Sequence, residues 1–300
     1  MHIHTPLMYS QSLSSFADTN IYLKLDCLQP SGSFKIRGIS KLCTWAYKKG
    51  YRRLVSSSGG NAGIAAAFVG NILNMYCEII IPSTSSEMMI EKIKQQGAKV
   101  TVKGKSWDES DEYARNKVFQ DNKSFYVPPF DHPLIWEGHS SIVDEVINDG
   151  VVADLWIMSV GGGGLLCGVM EGLARHKIDK SVQVWAVETD GAASFRAAIE
   201  NNRPYKIDKI TSIATSLGAA RVAEEAFKWS QKANIDAVTV SDGDAINAAK
   251  KFAYEHRIML EFSCSAAISS LYLRKEILKE YNRVCVIVCG GNNISPHMLV

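Results

Sequence analysis

A lysine at the predicted start of a helix is the residue whose type and position point most directly to chemistry. Lys35 follows a serine-glycine turn in segment 31–38, SGSFKIRG, and Ser33 is the predicted N-cap of that helix. The partial positive charge of a helix N-terminus disfavours an ammonium group and favours a neutral amine. Because a neutral amine forms Schiff bases with carbonyl compounds, Lys35 is a candidate attachment point for a carbonyl-bearing group. Taken alone, a lysine is far more often a solvated surface charge.

The first of three glycine-rich loops spans residues 56–63, SSSGGNAG, between a predicted strand and a predicted helix. Its small residues leave backbone N–H groups exposed at a helix N-terminus, which suits a carboxylate or a phosphate. A tight strand-to-helix turn with no ligand explains this loop equally well. The loop therefore indicates an anion site only in combination with other features.

Four consecutive glycines, residues 161–164, follow another predicted strand. Their conformational-entropy cost makes a purely structural turn a poor explanation, so we interpret the loop as a cradle of backbone amides for a phosphate. The G-x-G-x-x-G/A fingerprint of dinucleotide sites fails, because its third small residue falls on Leu166 or Cys167. Glu188, at the end of the next predicted strand, resembles the ribose-binding acid of such sites, and an NAD(P)-dependent oxidoreductase therefore stays an alternative.

The third loop begins at Cys289 and continues through two glycines and two asparagines, directly after the last predicted strand. A buried cysteine usually acts as a small hydrophobic residue. At the carboxyl end of a parallel strand it can instead present its thiol to a ligand, because α/β sheets bind cofactors at that edge. Both interpretations stay open at this point.

The composition is that of an ordinary globular protein. The 300 residues are 46% hydrophobic and 21% charged, with a formal net charge of +2, which gives no electrostatic basis for binding nucleic acid or an anionic membrane. The seven cysteines are scattered and never spaced C-x-x-C, so disulfide and zinc scaffolds are not expected. With no apolar run of membrane-spanning length and no leader-like N-terminus, we expect a cytosolic protein.

Short apolar strands alternate with amphipathic helices through most of the chain, which predicts an α/β architecture with largely parallel sheets. Pro128-Pro129 interrupts the alternation, which predicts two lobes with a cleft between them. The β-branched residues of segment 284–289 predict a central, buried strand. The other predicted strands are 21–25, 53–57, 77–81, 99–102, 125–127, 155–160, 182–187 and 237–240. The predicted helices are 36–49, 61–69, 85–96, 107–119, 140–148, 165–175, one N-capped near Ser241 and one within 264–281.

A reactive amine, a phosphate cradle and a carboxylate-binding loop together suggest pyridoxal phosphate acting on an amino acid. Over essentially its whole length the sequence closely resembles the serine dehydratase-like enzymes of the fold-type II pyridoxal-phosphate family. Ala62 follows Asn61, whereas threonine deaminases and serine racemases carry S-G-N-H there, which favours the serine dehydratase branch. The matching stretches are residues 29–38, 57–63, 127–139, 159–168, 211–218 and 286–294.

The resemblance implies a role for each residue that matches the family pattern. Lys35 would bind the cofactor as a Schiff base and act as the base on the substrate Cα proton. Phe34 would pack on one face of the pyridine ring, Cys289 would face the ring nitrogen, and Asn61 would contact the ring hydroxyl. The phosphate would be held by the amides of Gly161, Gly162, Gly163, Gly164 and Leu165. The substrate carboxylate would be bound by Ser58, Gly59, Asn61 and Ala62.

The resemblance also implies a monovalent cation, potassium, held by Glu188 and the carbonyls of Ala192, Leu217 and Ala219. Without the resemblance, Glu188 would be interpreted as a surface carboxylate. The implied fold has two lobes, each with a mostly parallel twisted sheet flanked by helices, and the active site in the cleft. A large cofactor-binding domain of residues 1–34 and 135–300 and a small domain of residues 35–134 are expected.

The implied activity is the deamination of L-serine, and of L-threonine, to pyruvate or 2-oxobutanoate plus ammonia by a cytosolic homodimer. A thiol at Cys289 cannot stabilise a protonated ring nitrogen as a carboxylate would, so prompt loss of the β-hydroxyl is the compatible chemistry. Gly59, Phe262 and Ser265 depart from the usual family pattern, which leaves the rate open. The alternatives are a racemase-like or weakly active relative, the NAD(P)-dependent oxidoreductase, and a non-catalytic small-molecule sensor.

Overall fold

The computed structural model describes residues 1–299, which form two sheets flanked by α-helices. The strands are β1 Leu7–Tyr9, β2 Asn20–Lys24, β3 Arg53–Ser56, β4 Tyr76–Ile81, β5 Lys99–Val102, β6 Ser124–Tyr126, β7 Leu155–Ser159, β8 Gln183–Thr189, β9 Ile235–Val240 and β10 Arg283–Ile287. The helices are α1 Gln11–Ala17, α2 Lys35–Lys48, α3 Asn61–Ile72, α4 Glu87–Gln95, α5 Trp107–Phe119, α6 Pro133–His139, α7 Ser141–Asn148, α8 Gly164–Arg175, α9 Ser194–Glu200, α10 Glu224–Ser230, α11 Asp242–His256, α12 Phe262–Leu273 and α13 Lys275–Leu278.

The larger sheet has the strand order β1-β2-β10-β7-β8-β9 and is parallel except for the β1–β2 pair. β10 pairs with both β2 and β7, and its last four residues are buried. The prediction of a central strand after residue 283 is therefore confirmed. This pairing brings the loop after β10 next to the lysine segment that follows β2.

The smaller sheet is fully parallel, with the order β5-β4-β3-β6. It has its own hydrophobic core, separate from that of the larger sheet, and Trp136 of α6 packs against both cores. The predicted α/β architecture with two largely parallel sheets is confirmed. The domain boundaries at residues 34 and 134 stay a prediction.

A buried ionic network holds α2, the helix that carries Lys35, against the larger sheet. The guanidinium of Arg37 is fully buried and donates to Asp26 at 2.6 and 2.8 Å and to Glu145 at 2.6 and 2.8 Å. Lys24 of β2 reaches Glu145 at 2.6 Å and the carbonyl of Thr5 at 2.6 Å. Two cations thus meet two carboxylates in an almost fully buried cluster, which fixes the position of α2 beside β2.

In the part of the chain that the structure describes, no helix is long and apolar enough to cross a membrane.

Candidate active site

Lys35 is the first residue of α2, and its side chain is half-buried. Its Nζ donates to the carbonyl of Pro129 at 2.8 Å and lies 5.2 Å from the centre of the Phe34 ring. Burial lowers the pKa of the Lys35 amine to about 8, although nearby Cys289 and Glu261 act in the opposite direction. A substantial fraction of this amine is therefore neutral near pH 8, as a nucleophile requires.

The predicted N-cap is wrong. Phe34, in helical conformation, precedes α2 without a side-chain cap within residues 1–299, and the buried Ser33 hydroxyl has no hydrogen-bond partner there. The reason is that the third glycine loop holds the backbone of this segment. Ser33 forms an antiparallel bridge with Gly290, and the Phe34 N–H donates to the carbonyl of Cys289 at 3.0 Å. The lysine is thus positioned by strand-like pairing instead of capping.

The four-glycine loop at the carboxyl end of β7 forms a cradle of unused amides. Gly163 has a φ of +83° and precedes α8, which begins at Gly164. The N–H groups of residues 161–165 find no hydrogen-bond acceptor among the described residues. Donors in this arrangement at a helix N-terminus fit an anion such as a phosphate. The structure thus favours the phosphate interpretation of this loop.

Segment 128–130 joins this cradle to the lysine. A Cβ built on Gly162 would lie 2.3 Å from the Phe130 ring, and one on Gly164 would lie 2.7 Å from the Phe130 carbonyl oxygen. Trp136 fixes the same carbonyl, because its Nε1 donates to it at 2.8 Å. The preceding residue, Pro129, accepts from Lys35. The lysine amine and the glycine cradle therefore contact two adjacent residues, Pro129 and Phe130.

The first glycine loop places a second set of amides at the start of α3. Gly60 is the N-cap, and the N–H groups of residues 61–63 have no acceptor on any described residue. A Cβ on Gly63 would lie 1.8 Å from the carbonyl oxygen of Ser58, so only glycine fits there. Ser58 and Gly59 are half-buried and Ala62 is buried. The loop is compatible with a carboxylate bound to these amides.

Asn61 is held at both ends of its amide. Its Nδ2 donates to the Glu261 carboxylate at 3.0 and 3.2 Å and to the Ser216 hydroxyl at 3.2 Å. Its Oδ1 accepts from the N–H and the side-chain amide of Asn292 at 2.8 and 3.0 Å. Asn61 thus links the first glycine loop, the third glycine loop and the residue before α12.

Cys289 is 5% exposed and lies beside Lys35, whose pKa it affects. The next N–H, that of Gly290, donates to the sulfur of Cys264 at 3.4 Å. Sequence reasoning missed Cys264 and Glu261, although it singled out their neighbours. The Ser265 hydroxyl donates to the carbonyl of Ala245 at 2.7 Å, so it serves the packing of α11 on α12.

Glu188 is the penultimate residue of β8 and is fully buried, which excludes the interpretation as a surface carboxylate. Burial raises the pKa of Glu188 to about 8, although the N–H groups of Phe195 and Arg196 donate to it at 2.8 and 2.9 Å. Ser194, which sequence reasoning missed, has a buried hydroxyl with no partner in the 1–299 range. These oxygens fit a cation that replaces a proton.

The three predicted carbonyl ligands lie in two turns, and one of them, Leu217, lies next to the glycine cradle. Ala192 is buried in a 3₁₀ turn, Asp190–Ala192, directly after β8. Leu217 ends a second 3₁₀ turn, Thr215–Leu217, and its Cα would lie 2.9 Å from a Cβ on Gly161. The N–H of Ala219 donates to the Leu217 carbonyl at 2.7 Å.

A lysine amine with a lowered pKa, next to a cradle of unused amides, is compatible with a phosphorylated aldehyde. The family model described as "Pyridoxal-phosphate dependent enzyme" matches residues 1–290, and the chain belongs to this family. The oxidoreductase alternative therefore has no support beyond the glycines themselves.

Individual relatives narrow the comparison. The chain is 42% identical to the human "L-serine dehydratase/L-threonine deaminase", with 98% of this chain and 92% of the relative covered. It is 40% identical to the "L-serine dehydratase" of Dictyostelium discoideum, with 98% and 89% covered. The crystal structure of a fungal L-serine ammonia-lyase from Rhizomucor miehei superimposes with a TM-score of 0.93 at 33% identity, with 99% and 96% covered.

Proposed function

We propose that this protein is a pyridoxal-phosphate-dependent L-serine ammonia-lyase that also accepts L-threonine. It releases pyruvate or 2-oxobutanoate together with ammonia. One observation carries the proposal. The Lys35 amine donates to the carbonyl of Pro129, and the next residue, Phe130, packs against the glycine cradle. Pyridoxal phosphate supplies the electron sink that lets the Cα–H and Cβ–O bonds of the substrate break.

The residues divide the work by position. The amides of residues 161–165 would bind the phosphate. Phe34, whose ring centre lies 4.8 Å from that of His139, would pack on the cofactor ring. The amides at the start of α3 bind and orient the substrate carboxylate. Lys35 Nζ, neutral in part because of its lowered pKa, takes the proton from the substrate Cα.

Cys289 and Asn61 address the polar atoms of the cofactor ring. The buried thiol of Cys289 is a weak donor and carries no negative charge to hold a proton on the ring nitrogen. Asn61 presents its side-chain amide to the ring hydroxyl. With no acid from this chain at the ring nitrogen, the cofactor would supply a weaker electron sink, so Cys289 would suit prompt loss of the β-hydroxyl as water.

The deciding experiment measures 2-oxo acid release from L-serine and L-threonine by protein reconstituted with pyridoxal phosphate in potassium buffer. Borohydride reduction followed by peptide mass spectrometry locates the attached cofactor, which we expect on Lys35. Release from serine together with that adduct supports the lyase. The adduct without release would contradict the lyase and favour a weakly active relative or a racemase.

We further propose that potassium binds at Glu188 with the carbonyls of Ala192, Leu217 and Ala219, and that the protein is a cytosolic homodimer. The buried, otherwise protonated carboxyl and the unpartnered Ser194 hydroxyl support the cation. Light scattering in solution tests the dimer, and localisation of a tagged chain tests the compartment.

Potassium affinity is expected to rise with pH. Because the cation needs the ionised carboxylate and the pKa of Glu188 is about 8, apparent affinity should fall about tenfold for each pH unit below 8. Thermal shifts against potassium concentration at pH 6.5 and 9, with tetramethylammonium as the inert salt, measure this. Glu188→Gln should lose both the response and its pH dependence. A response equal at the two pH values would contradict the site.

Gly59→Ala is expected to raise turnover about two- to fivefold, because Gly59 lies outside the left-handed region and alanine restricts the substrate loop. The added Cβ would lie 3.2 Å from the Ser85 hydroxyl, which can rotate away, and 3.2 Å from Ile81 Cγ2. The ratio kcat/KM for L-serine measures this. Gly243→Ala, at an exposed position of α11, is the control and should leave the ratio unchanged. A fall in kcat/KM of the Gly59 variant would show that the loop needs its freedom.

A further inference from the structure

Glu261 occupies a position where a carboxylate usually caps the N-terminus of its own helix. It is the N-cap residue of α12, a position where acidic side chains fold back onto the first N–H groups. Within the described residues its side chain makes no such bond. It is 2% exposed and accepts instead from Asn61 Nδ2 and from the N–H of Asn293 at 3.1 Å. The carboxylate is therefore directed away from its helix, towards the first and third glycine loops.

The chain makes room for this carboxylate. Gly291 has a φ of +145°, and a Cβ there would lie 1.8 Å from Glu261 Cδ. A side chain at position 291 would thus be both strained and blocked by the carboxyl group. The third loop therefore depends on the combination of Gly291 and Glu261.

Glu261 and Asn292 determine which way the Asn61 amide faces. Burial raises the pKa of the Glu261 carboxyl, but the donors from Asn293 and Asn61 favour its ionised form. An ionised carboxylate accepts only, so it selects the Nδ2 end, and the Asn292 N–H donates only, so it selects the Oδ1 end. The charged groups facing Glu261 are Lys35 and Lys92, and Lys92 donates to the Asn292 carbonyl. Reversing the amide would place donor against donor and acceptor against acceptor.

We propose that Glu261 is a positioning residue: together with Asn292 it orients Asn61 so that the second Nδ2 hydrogen, which reaches the Ser216 hydroxyl at 3.2 Å, is available to the cofactor ring hydroxyl. This inference rests on the proposed function. Without Glu261 only Asn292 fixes the amide, so the reversed form, with its oxygen towards the ring oxygen, becomes more populated, and there two acceptors repel. Glu261 acts through Asn61 and does not itself touch the substrate.

Glu261→Gln tests the role with little change in volume. An amide has one acceptor oxygen, so Asn61 or Asn293 loses its acceptor, and we expect apparent cofactor affinity to fall about 5- to 100-fold. Titration of apoprotein with pyridoxal phosphate, followed by the visible absorption band, gives the affinity, and the band itself should shift. Asn292→Ala keeps the backbone donor and should show a smaller change of the same kind. The double variant should lose less than the product of the two effects.

Glu78→Gln is the matched control. Glu78 is also 2% exposed and accepts from Thr101 at 2.6 Å and Lys117 at 2.7 Å. Neither partner belongs to one of the three glycine loops. The Glu78 variant should lower the melting temperature without moving the affinity or the band. If Glu261→Gln behaves like Glu78→Gln while wild type carries cofactor on Lys35, the positioning role is overturned alone. If wild type takes up no cofactor on Lys35, the proposed function fails as well.

Discussion

Lys35→Ala is expected to lower the rate of 2-oxo acid release from L-serine by about a thousandfold or more. The variant lacks the amine that we propose attaches the cofactor and acts as the base at the substrate Cα. A positioned base alone contributes about 10²- to 10⁴-fold. Pyruvate formation under saturating cofactor measures the loss, and borohydride should no longer label the protein at this position. A small added amine should restore part of the activity.

Lys41→Ala is the control for this substitution. Lys41 lies on the same helix but is exposed and pairs with Glu137 at the surface. It should keep wild-type turnover and labelling. Full turnover by the Lys35 variant without added amine would refute the assigned chemistry.

Arg37→Met is expected to lower the free energy of unfolding by about 3–5 kcal/mol. The substitution keeps most of the side-chain length but leaves the buried Asp26 carboxylate without its cation and Glu145 with Lys24 alone. Denaturant unfolding of wild type and variant measures the difference. Arg196→Met is the control, because Arg196 forms an exposed pair with Glu200 and should cost less than about 1 kcal/mol. Equal losses would show that burial of the network does not matter.

The same network makes stability depend on pH in acid. Burial alone would raise the pKa of Glu145, but the hydrogen bonds from Arg37, and then Lys24, lower it to about 2. The folded-state pKa lies below the usual value of 4.5, so the ionised carboxylate stabilises the fold above that value. This contribution is lost as the pH falls from about 4.5 to about 2. Arg37→Met should show a shallower loss over this interval.

The sequence predicted the helices and strands whose hydrophobic pattern is long enough to recognise. Helix 107–119 is confirmed at both ends, and β10 is confirmed as central because its β-branched run marks burial on both faces. Helices α1, α6, α9 and α10 were missed. Each has seven residues, too few for an amphipathic pattern to separate from chance.

For the site, sequence could identify residues whose chemistry is unusual in itself. Lys35 and the four glycines belong to this group. The contacts of Glu261 with Asn61 could not be predicted, because 200 positions separate the two residues and only the pairing of strands brings them together. The prediction of Ser33 as an N-cap failed for the same reason, because its backbone partner, Gly290, is distant in sequence.

The pairing of β2 with β10 has a consequence for biosynthesis. Lys35 is synthesised well before the strand and loop that hold its segment. A nascent chain therefore carries the lysine without the backbone partner that positions it, and cofactor loading has to wait until β10 and the loop after it have been synthesised. Such distant pairing also slows folding, so the newly made apoprotein passes through an interval in which α2 and β2 lack their neighbour.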